Sequence, residues 1–150
     1  MHIVILTGAG ISAESGLATF RAEDGLWSGH SIEDVATLKG YRRNPQHVLD
    51  FYNDRRKDVA AAEPNAAHFA IAKLQQSKHK VTLITQNVDD LHERAGFVGA
   101  MHVHGSLFEP RCSACGRPAQ FDAEPPTEVI EHLAPPKCQH CGGDVRPGVV

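Results

Sequence analysis

Four cysteines stand in the sequence as two close pairs, and this residue type at this spacing is typical of a metal site. Each pair has the pattern C-x2-C, and 22 residues separate Cys112 and Cys115 from Cys138 and Cys141. Four thiolates from two such turns can bind one zinc ion tetrahedrally. Because sulfur then occupies every position, the predicted zinc is structural, and His140 is not expected to be a ligand. Two dithiol redox motifs or buried thiols are the alternative.

A glycine loop near the N-terminus has a pattern that binds the pyrophosphate of a dinucleotide. Residues 8–13 fit G-x-G-x-x-[GA] and follow an apolar, β-branched segment, residues 2–7, which predicts a buried strand. Glycines allow backbone amides to approach phosphates, whose charge a helix N-terminus favours. Ser12 is expected to cap the following helix. A turn that only connects strand and helix is the alternative.

A dehydrogenase would need a second strand soon after this helix, ending in an acidic residue about 20 residues further along. The residues that follow the predicted helix are polar and weakly periodic. Asp34 stands at a suitable distance but follows no predicted strand. The glycine loop therefore suits a dinucleotide, while hydride transfer loses its usual support.

The other predicted elements alternate between helices and strands. Apolar residues at helical spacing predict helices over residues 45–62 and 64–75, and apolar segments predict strands over residues 80–85 and 101–105. This alternation indicates an α/β fold, a Rossmann-like parallel sheet domain with an inserted small zinc-ribbon module.

The change of composition after the last predicted strand suggests where the module lies. We predict a dinucleotide-binding part at residues 1–107, a helical insertion within it at about residues 30–75, a zinc module at residues 108–145, and a return to the first domain at residues 146–150. The residues from 112 to 143 are rich in Cys, Pro and Gly and poor in large apolar side chains, which is typical of a metal-stabilised module.

Composition restricts the classes of partner and location. The 150 residues carry a formal net charge of −3, with 41% hydrophobic and 22% charged residues. This balance is ordinary for a globular protein and predicts no nucleic-acid and no membrane partner. No apolar segment has the length of a membrane-spanning helix, and the first residues lack the basic region of a signal peptide. A cytoplasmic location is the resulting expectation.

An ordered set of motifs along the whole chain resembles the sirtuins. In chain order they are Gly8-Ala9-Gly10-Ile11-Ser12, Glu14-Ser15-Gly16, Thr19-Phe20-Arg21, Gly25-Leu26-Trp27, Thr85-Gln86-Asn87-Val88-Asp89-Asp90-Leu91-His92 and His104-Gly105-Ser106-Leu107, followed by the four cysteines. The resemblance implies an NAD⁺-dependent protein-lysine deacylase. Such an enzyme transfers the acyl group from lysine to ADP-ribose and releases nicotinamide, so its partners are NAD and acyl-lysine-bearing proteins.

The resemblance also implies roles for particular residues. His104, which precedes Gly105, is the implied general base that acts on the ribose hydroxyls, and a histidine pKa near ~6.5 suits that task. Asn87 and Asp89 hold the nicotinamide ribose and carboxamide, whereas His92 is structural. The full implied cofactor-binding set is Gly8, Ala9, Gly10, Ile11, Ser12, Ala13, Glu14, Gly16, Phe20, Arg21, Trp27, Gln86, Asn87, Val88 and Asp89.

A second feature bears on the acyl group. Tyr52 and Arg55 are three residues apart in a predicted helix, so that a phenol and a guanidinium can share a face and bind a carboxylate. This resembles the Tyr-x-x-Arg of the bacterial desuccinylase-type (class III) sirtuins, and Ala36 matches the small residue of their enlarged acyl pocket. The implied reactions are desuccinylation, demalonylation and deacetylation. An amphipathic helix with a solvated Arg55 is the alternative.

The resemblance further implies that the family's chains continue beyond the second cysteine pair. Residues 146–150 resemble the start of a further strand, so we expect the loops that bind the adenosine half of NAD⁺ to be missing from these 150 residues. Two other functions stay open on the sequence. They are mono-ADP-ribosyl transfer in the same cleft, and binding of NAD and zinc by a catalytically inactive fragment.

Overall fold

The computed structural model describes residues 1–19, 29–119 and 135–149. The chain forms two compact units. The first contains Met1–Ser28 and Asp58–His104, and the second contains Gly29–Lys57 and Gly105–Val150. The implied cofactor residues Phe20, Arg21 and Trp27 lie outside the described residues.

A three-stranded parallel sheet forms the centre of the first unit. Its strands, in spatial order, are β1 (His2–Thr7), β2 (Lys80–Thr85) and β3 (Met101–His102). β1 and β2 pair along their full length without a register shift. Because all three strands are parallel, their carboxyl ends meet at one edge of the sheet, which is where such folds bind ligands. The predicted α/β class with a parallel sheet is confirmed.

Short helices connect the strands of this sheet. A 3₁₀ helix (Ala9–Ser15) follows β1 directly, α4 (Ala66–Gln75) precedes β2, and α5 (Leu91–Arg94) lies between β2 and β3. The buried side chains of Ala72, Leu83 and Phe97 pack together as the core of this unit. The predicted helix over residues 64–75 is confirmed, with its first two residues outside the helix.

The N-terminus of α4 is capped, and this explains where the helix starts. The side chain of Asn65 accepts a hydrogen bond from the backbone amide of Ala67, and the ring of His68 accepts one from the backbone amide of Asn65. This reciprocal arrangement satisfies amides that the first helical turn leaves without a partner. It also fixes the ring of His68, which the site described below uses.

In the part of the second unit that the structure describes, three helices accompany an antiparallel strand pair. Its elements are α1 (Ile32–Val35), α2 (Leu38–Arg43), α3 (Pro45–Ala61, in this unit up to Lys57), β4 (Gly105–Cys112) and β5 (Val145–Val149). The predicted helix over residues 45–62 is confirmed as α3. The predicted strand over residues 101–105 is instead split, because the chain turns at Gly105 with φ of 83° and begins β4 there. Within the described residues, none of the helices combines the length and the apolar character that crossing a membrane requires.

The close approach of β4 and β5 depends on glycine. A Cβ atom at Gly148 would overlap the carbonyl oxygen of Glu109. We therefore expect Gly148→Ala to lower the free energy of unfolding by about 3 kcal/mol, the upper range for overpacking a tight site. Denaturant unfolding measures this loss.

Gly10→Ala is the matched control for that substitution. Among the described residues, no atom beyond its chain neighbours and its own helix backbone lies within 4 Å of a Cβ atom at Gly10, and its φ is outside the left-handed region. We expect its free energy of unfolding to change by less than about 0.5 kcal/mol. A Gly148→Ala protein as stable as this control would show that the strand pair is more loosely packed than the structure indicates.

Candidate functional site

Two polar residues after β2 are buried at the carboxyl edge of the sheet. Asn87 is 2% exposed and Asp89 is 6% exposed. The backbone amide of Asn87 donates to the hydroxyl of Thr85 over 3.1 Å, and the Asp89 carboxylate accepts from the backbone amide of Leu91 over 3.1 Å. These local bonds form the turn between β2 and α5 and direct both side chains inward.

Ser12 lies at the centre of a buried hydrogen-bond network that includes both of those side chains. Its hydroxyl donates to Asp89 Oδ2 over 2.9 Å and accepts from Asn87 Nδ2 over 3.1 Å. His68 Nε2 lies 3.4 Å from the same hydroxyl oxygen. Since His68 Nδ1 accepts from the Asn65 amide, the ring proton is on Nε2 and points toward Ser12. The glycine-loop helix and the loop after β2 are therefore tied together by four side chains.

The predicted capping role of Ser12 is wrong. The 3₁₀ helix begins at Ala9, with Gly8 at the N-cap position and without a side-chain cap. Ser12 lies inside that helix, 2% exposed, and its hydroxyl serves the buried network instead. The burial of Asp89 and Asn87 decides this, because a buried carboxylate needs a donor more than a helix end does.

His68 is a site residue that the sequence analysis missed. It is fully buried, and burial lowers its pKa, so the ring is neutral. Its ring packs edge-on against that of His92 at 4.9 Å, and burial lowers the pKa of His92 as well. The only signal in the sequence was Pro64-Asn65-x-x-His68, which predicts a helix start and carries no information about the far side of the ring.

The side chain of Asn87 is incompletely satisfied within the described structure. Its Oδ1 is buried and has no hydrogen-bond partner among the described residues. Since a buried polar atom without a partner is costly, a ligand that donates a hydrogen bond fits here. A ribose hydroxyl or a carboxamide N–H has that chemistry. The residues present thus fit the nicotinamide riboside half of NAD.

His104 is exposed and is held by one backbone contact. Its Nδ1 lies 3.1 Å from the carbonyl oxygen of Gln86. A carbonyl only accepts hydrogen bonds, so Nδ1 carries the proton and the lone pair of the neutral ring is on Nε2. The exposed imidazole of His104 can therefore act as a base at this edge of the sheet. Its partner Gln86 is the residue next to Asn87 in the chain.

The remaining residues of the implied cofactor-binding set fall in two segments of the first unit. Residues 8–16 form the turn after β1 and the 3₁₀ helix, and residues 86–89 form the loop after β2. Both segments follow the carboxyl ends of neighbouring parallel strands.

The four cysteines come together in the second unit. All four Sγ atoms lie within 4.8 Å of one another. Cys112 and Cys141 have their sulfurs 3.5 Å apart, and Cys115 and Cys138 have theirs 3.9 Å apart. Four sulfurs at about 2.3 Å from one zinc are about 3.8 Å apart, so the cluster fits a tetrahedral metal.

Hydrogen bonds favour the thiolate form of Cys112. The backbone amides of Cys115 and Ala114 each donate to Cys112 Sγ over 3.4 Å, and these bonds, with those from the neighbouring thiols, lower the pKa of Cys112 to about 6. The same thiol contacts raise the pKa of Cys141 to about 11. The amide of His140 donates to Cys138 Sγ over 3.4 Å. His140 contributes its backbone, and its ring is not part of the cluster. Among residues 1–19, 29–119 and 135–149, the candidate metal site therefore consists of the four cysteines.

A cavity of about 210 Å³, its open mouth included, lies within the second unit. Ala36 and Tyr52 both line it, with valine side chains around them and Arg146 on one wall. Burial raises the pKa of Tyr52 to about 12, so the phenol keeps its proton and can donate a hydrogen bond. The guanidinium of Arg55 lies 4.3 Å from the centre of the Phe51 ring and is not among the residues that line the cavity.

Comparison with known families decides the relationship. The family model described as "Sir2 family" matches residues 8–150. The chain belongs to the Sir2 family. The resemblance that the motifs carried is thereby confirmed, and it covers nearly the whole chain.

Curated members of the Sir2 family resemble this chain over its entire length. A protein of Methylococcus capsulatus named NAD-dependent protein deacylase is 49% identical over 152 residues, which cover 99% of this chain and 60% of that protein. Proteins of the same name from Vibrio cholerae and Aquifex aeolicus are 48% and 45% identical and are covered to 60% and 61%. This Sir2 chain therefore spans about 60% of the length of these relatives.

Solved Sir2 structures share the fold. A mutant Sir2 homologue in complex with ADP-ribose superimposes with a TM-score of 0.85 at 43% identity, over 99% of this chain and 57% of that one. A Sir2 homologue in complex with NAD gives a TM-score of 0.83 at 43% identity, over 99% and 56%. With the clustered cysteines, these likenesses confirm the predicted α/β fold with a zinc-ribbon module.

Proposed function

We propose that this Sir2 chain is the NAD-binding and catalytic part of a protein-lysine deacylase. The observation that carries the proposal is the state of His104, whose Nδ1 bonds to the Gln86 carbonyl and leaves Nε2 as a base. The base stands beside a loop whose buried Asn87 has room for one more hydrogen bond. A relative that is 49% identical over 152 residues bears the name of this activity.

The residues of the chain divide the work of the reaction. NAD⁺, when bound, supplies the ADP-ribose that accepts the acyl group and releases nicotinamide. His104 Nε2 takes the proton of a ribose hydroxyl, which makes that oxygen a better nucleophile. Asn87 and Asp89 hold the ribose and the carboxamide from the buried side, and Ser12 keeps both side chains in place.

Zinc has a structural part in this proposal. Cys112, Cys115, Cys138 and Cys141 would hold one ion with four thiolates, which leaves no position for water or substrate. The metal would supply stability to the second unit and no chemistry. The division into residues 1–107, 108–145 and 146–150 and a cytoplasmic location stay proposals based on the sequence.

Acyl-lysine-bearing proteins are the proposed substrates, and the cavity lined by Ala36 and Tyr52 is the proposed acyl site. Its small residue is the one that the resemblance assigns to an enlarged acyl pocket, and its protonated phenol can donate to a carboxylate. We propose Arg55, on the same helix, as the cation that pairs with succinyl or malonyl groups. Acetyl-lysine remains a substrate, since a larger pocket need not exclude a smaller group.

Acyl selectivity should respond to Tyr52 and Arg55 together. We expect the pair Tyr52→Phe with Arg55→Met to lower kcat/KM for a succinyl-lysine peptide at least about tenfold more than for the matched acetyl-lysine peptide. The reason is that one charge-assisted hydrogen bond contributes about 1.5–3 kcal/mol, and about 1.4 kcal/mol is tenfold. Arg42→Met, which removes an exposed guanidinium from α2, should leave the ratio unchanged. Equal losses on both peptides would contradict the carboxylate receptor.

Mass spectrometry of the products tests the proposed reaction. The chain is incubated with NAD⁺ and succinyl-lysine or acetyl-lysine peptides, and free lysine together with O-acyl-ADP-ribose is the expected result. If the 150 residues show no turnover, the assay is repeated with the chain extended by the remaining C-terminal segment of the Methylococcus capsulatus relative. ADP-ribose attached to the peptide would indicate mono-ADP-ribosyl transfer. Absence of any product from the extended chain would contradict the proposed function.

A further inference from the structure

His102 occupies a place in the first unit that none of the sequence motifs explains. It is the last residue of β3, and its ring reaches both the loop after β2 and helix α5. Nδ1 lies 2.8 Å from the backbone oxygen of Asn87, and Nε2 lies 2.9 Å from Oε1 of Glu93. One imidazole thus connects the main chain of a proposed cofactor residue to a carboxylate on the neighbouring helix.

The chemistry of the two partners determines the protonation of the ring. The carbonyl of Asn87 can only accept, and an ionised Glu93 can only accept. Both ring nitrogens must therefore carry hydrogen, which makes His102 an imidazolium. The short distances are those of charge-assisted hydrogen bonds, which are about twice as strong as neutral ones.

We propose that His102 is a positioning residue, whose protonated ring holds the Asn87 backbone in the conformation that binds the nicotinamide ribose and whose deprotonation sets the alkaline limit of activity. The proposal rests on the proposed function, because it gives Asn87 a role toward NAD. His102 acts through Asn87 and Glu93 and touches no reacting atom.

The charges around His102 favour its protonated form. From α5 it faces Glu93 and His92, and from the loop after β2 it faces Asp89. The hydrogen bond to Glu93 raises the pKa of His102 above its usual range, and the charge of Asp89 adds to this. His92 carries no opposing charge at neutral pH, because burial lowers its pKa. Partial burial raises the pKa of Glu93, but its hydrogen bonds to His102 and to the backbone lower it by more. The net pKa is below the usual value, so the carboxylate is ionised.

These directions predict how the His102 contact depends on pH. The His102 contact is fully formed below the usual histidine pKa of ~6.5 and is lost as the pH rises through the raised pKa of His102. On the acidic side it persists until the pH falls through the lowered pKa of Glu93. Activity should therefore fall as the pH rises through the raised pKa of His102.

The pH profile of kcat/KM for NAD⁺ tests this assignment in the form of the protein that is active in the deacylase assay. We expect His102→Gln to lower kcat/KM about tenfold at neutral pH, the effect of about 1.4 kcal/mol, and to remove the alkaline limb of the profile. Glu93→Gln keeps the ring and should shift that limb to lower pH. His2 is exposed at the amino end of β1, whereas the proposed site lies at the carboxyl ends of the strands. His2→Gln should therefore keep the parental profile. An unchanged alkaline limb in His102→Gln would overturn the proposal.

NMR titration in the absence of NAD⁺ separates this inference from the proposed function. In protein with ¹⁵N-labelled histidine, the ring of His102 should titrate above its usual pKa, and the amide of Val88, next to the Asn87 carbonyl, should follow the same titration. In Glu93→Gln the pKa of the ring should fall. A His102 ring that is neutral at pH 6, or a Val88 amide that ignores its titration, would contradict the contact even in an active enzyme. Loss of turnover in every variant, parent included, would instead contradict the proposed function.

Discussion

Replacement of His104 by alanine is expected to lower turnover by about 10²- to 10⁴-fold, the contribution of a positioned general base. The side chain is exposed, and among the described residues its ring is hydrogen-bonded to the backbone of Gln86, so its removal costs the fold little. Product formation from an acyl-lysine peptide and NAD⁺ measures the loss. We expect the zinc content and the thermal unfolding midpoint to match those of the parent protein.

The control for this substitution is another exposed histidine of the first unit. His2 lies at the start of β1, and its ring bonds only to the hydroxyl of Thr82 among the described contacts. His2→Ala should keep parental turnover within about twofold, since surface substitutions away from a site change little. If His104→Ala turned over as fast as His2→Ala, the base would have to be another group, and the proposed mechanism would fail.

Replacement of Cys138 by serine should remove the metal and unfold the cysteine-containing part of the second unit. Cys138 is 4% exposed, and its amide and carbonyl bond to the turn around Gly142 and Gly143, so the ligand also anchors the local backbone. Structural zinc sites in small peptides contribute about 10–16 kcal/mol to folding, and we expect a loss of at least about 5 kcal/mol here. Metal analysis by mass spectrometry should fall from one zinc per chain to none.

Two substitutions in the same turns serve as controls. Ser113→Ala changes a residue between Cys112 and Cys115, and His140→Ala changes one between Cys138 and Cys141. Both should keep one zinc per chain, because neither side chain belongs to the sulfur cluster. Zinc retained in Cys138→Ser would show that three sulfurs and water suffice, while zinc lost in His140→Ala would make the ring a ligand.

Several helices and strands could be predicted from the sequence because their signals are local. β2 follows from its apolar, β-branched residues 80–85, and α3 from apolar residues at helical spacing. The two C-x2-C turns are equally local, since each pair of cysteines is only three positions apart. A search for period and spacing therefore found them.

A local pattern failed at Ser12, while the role that it gives Arg55 stays a prediction. Ser12 has the chemistry of a helix cap, and the sequence predicted that use; its actual partner, Asp89, is 77 positions away. Arg55 was expected to converge with Tyr52 on one point, and the structure places its guanidinium over the Phe51 ring, so its approach to an acyl carboxylate stays a prediction.

By itself the sequence determined the fold class, the Sir2 relationship, the four sulfur ligands and the candidate base, because each depends on residue types in a fixed order along the chain. Tertiary structure alone decided which atoms of those residues are free to react. Contacts at the edge where the parallel strands end decide three features. They are the neutral ring of His68 next to Ser12, the proton on Nδ1 of His104, and the two hydrogen bonds of the His102 ring. Hydrogen bonds of about 3 Å between distant positions leave no periodic trace in a sequence, since one side chain and one backbone oxygen are enough to make them.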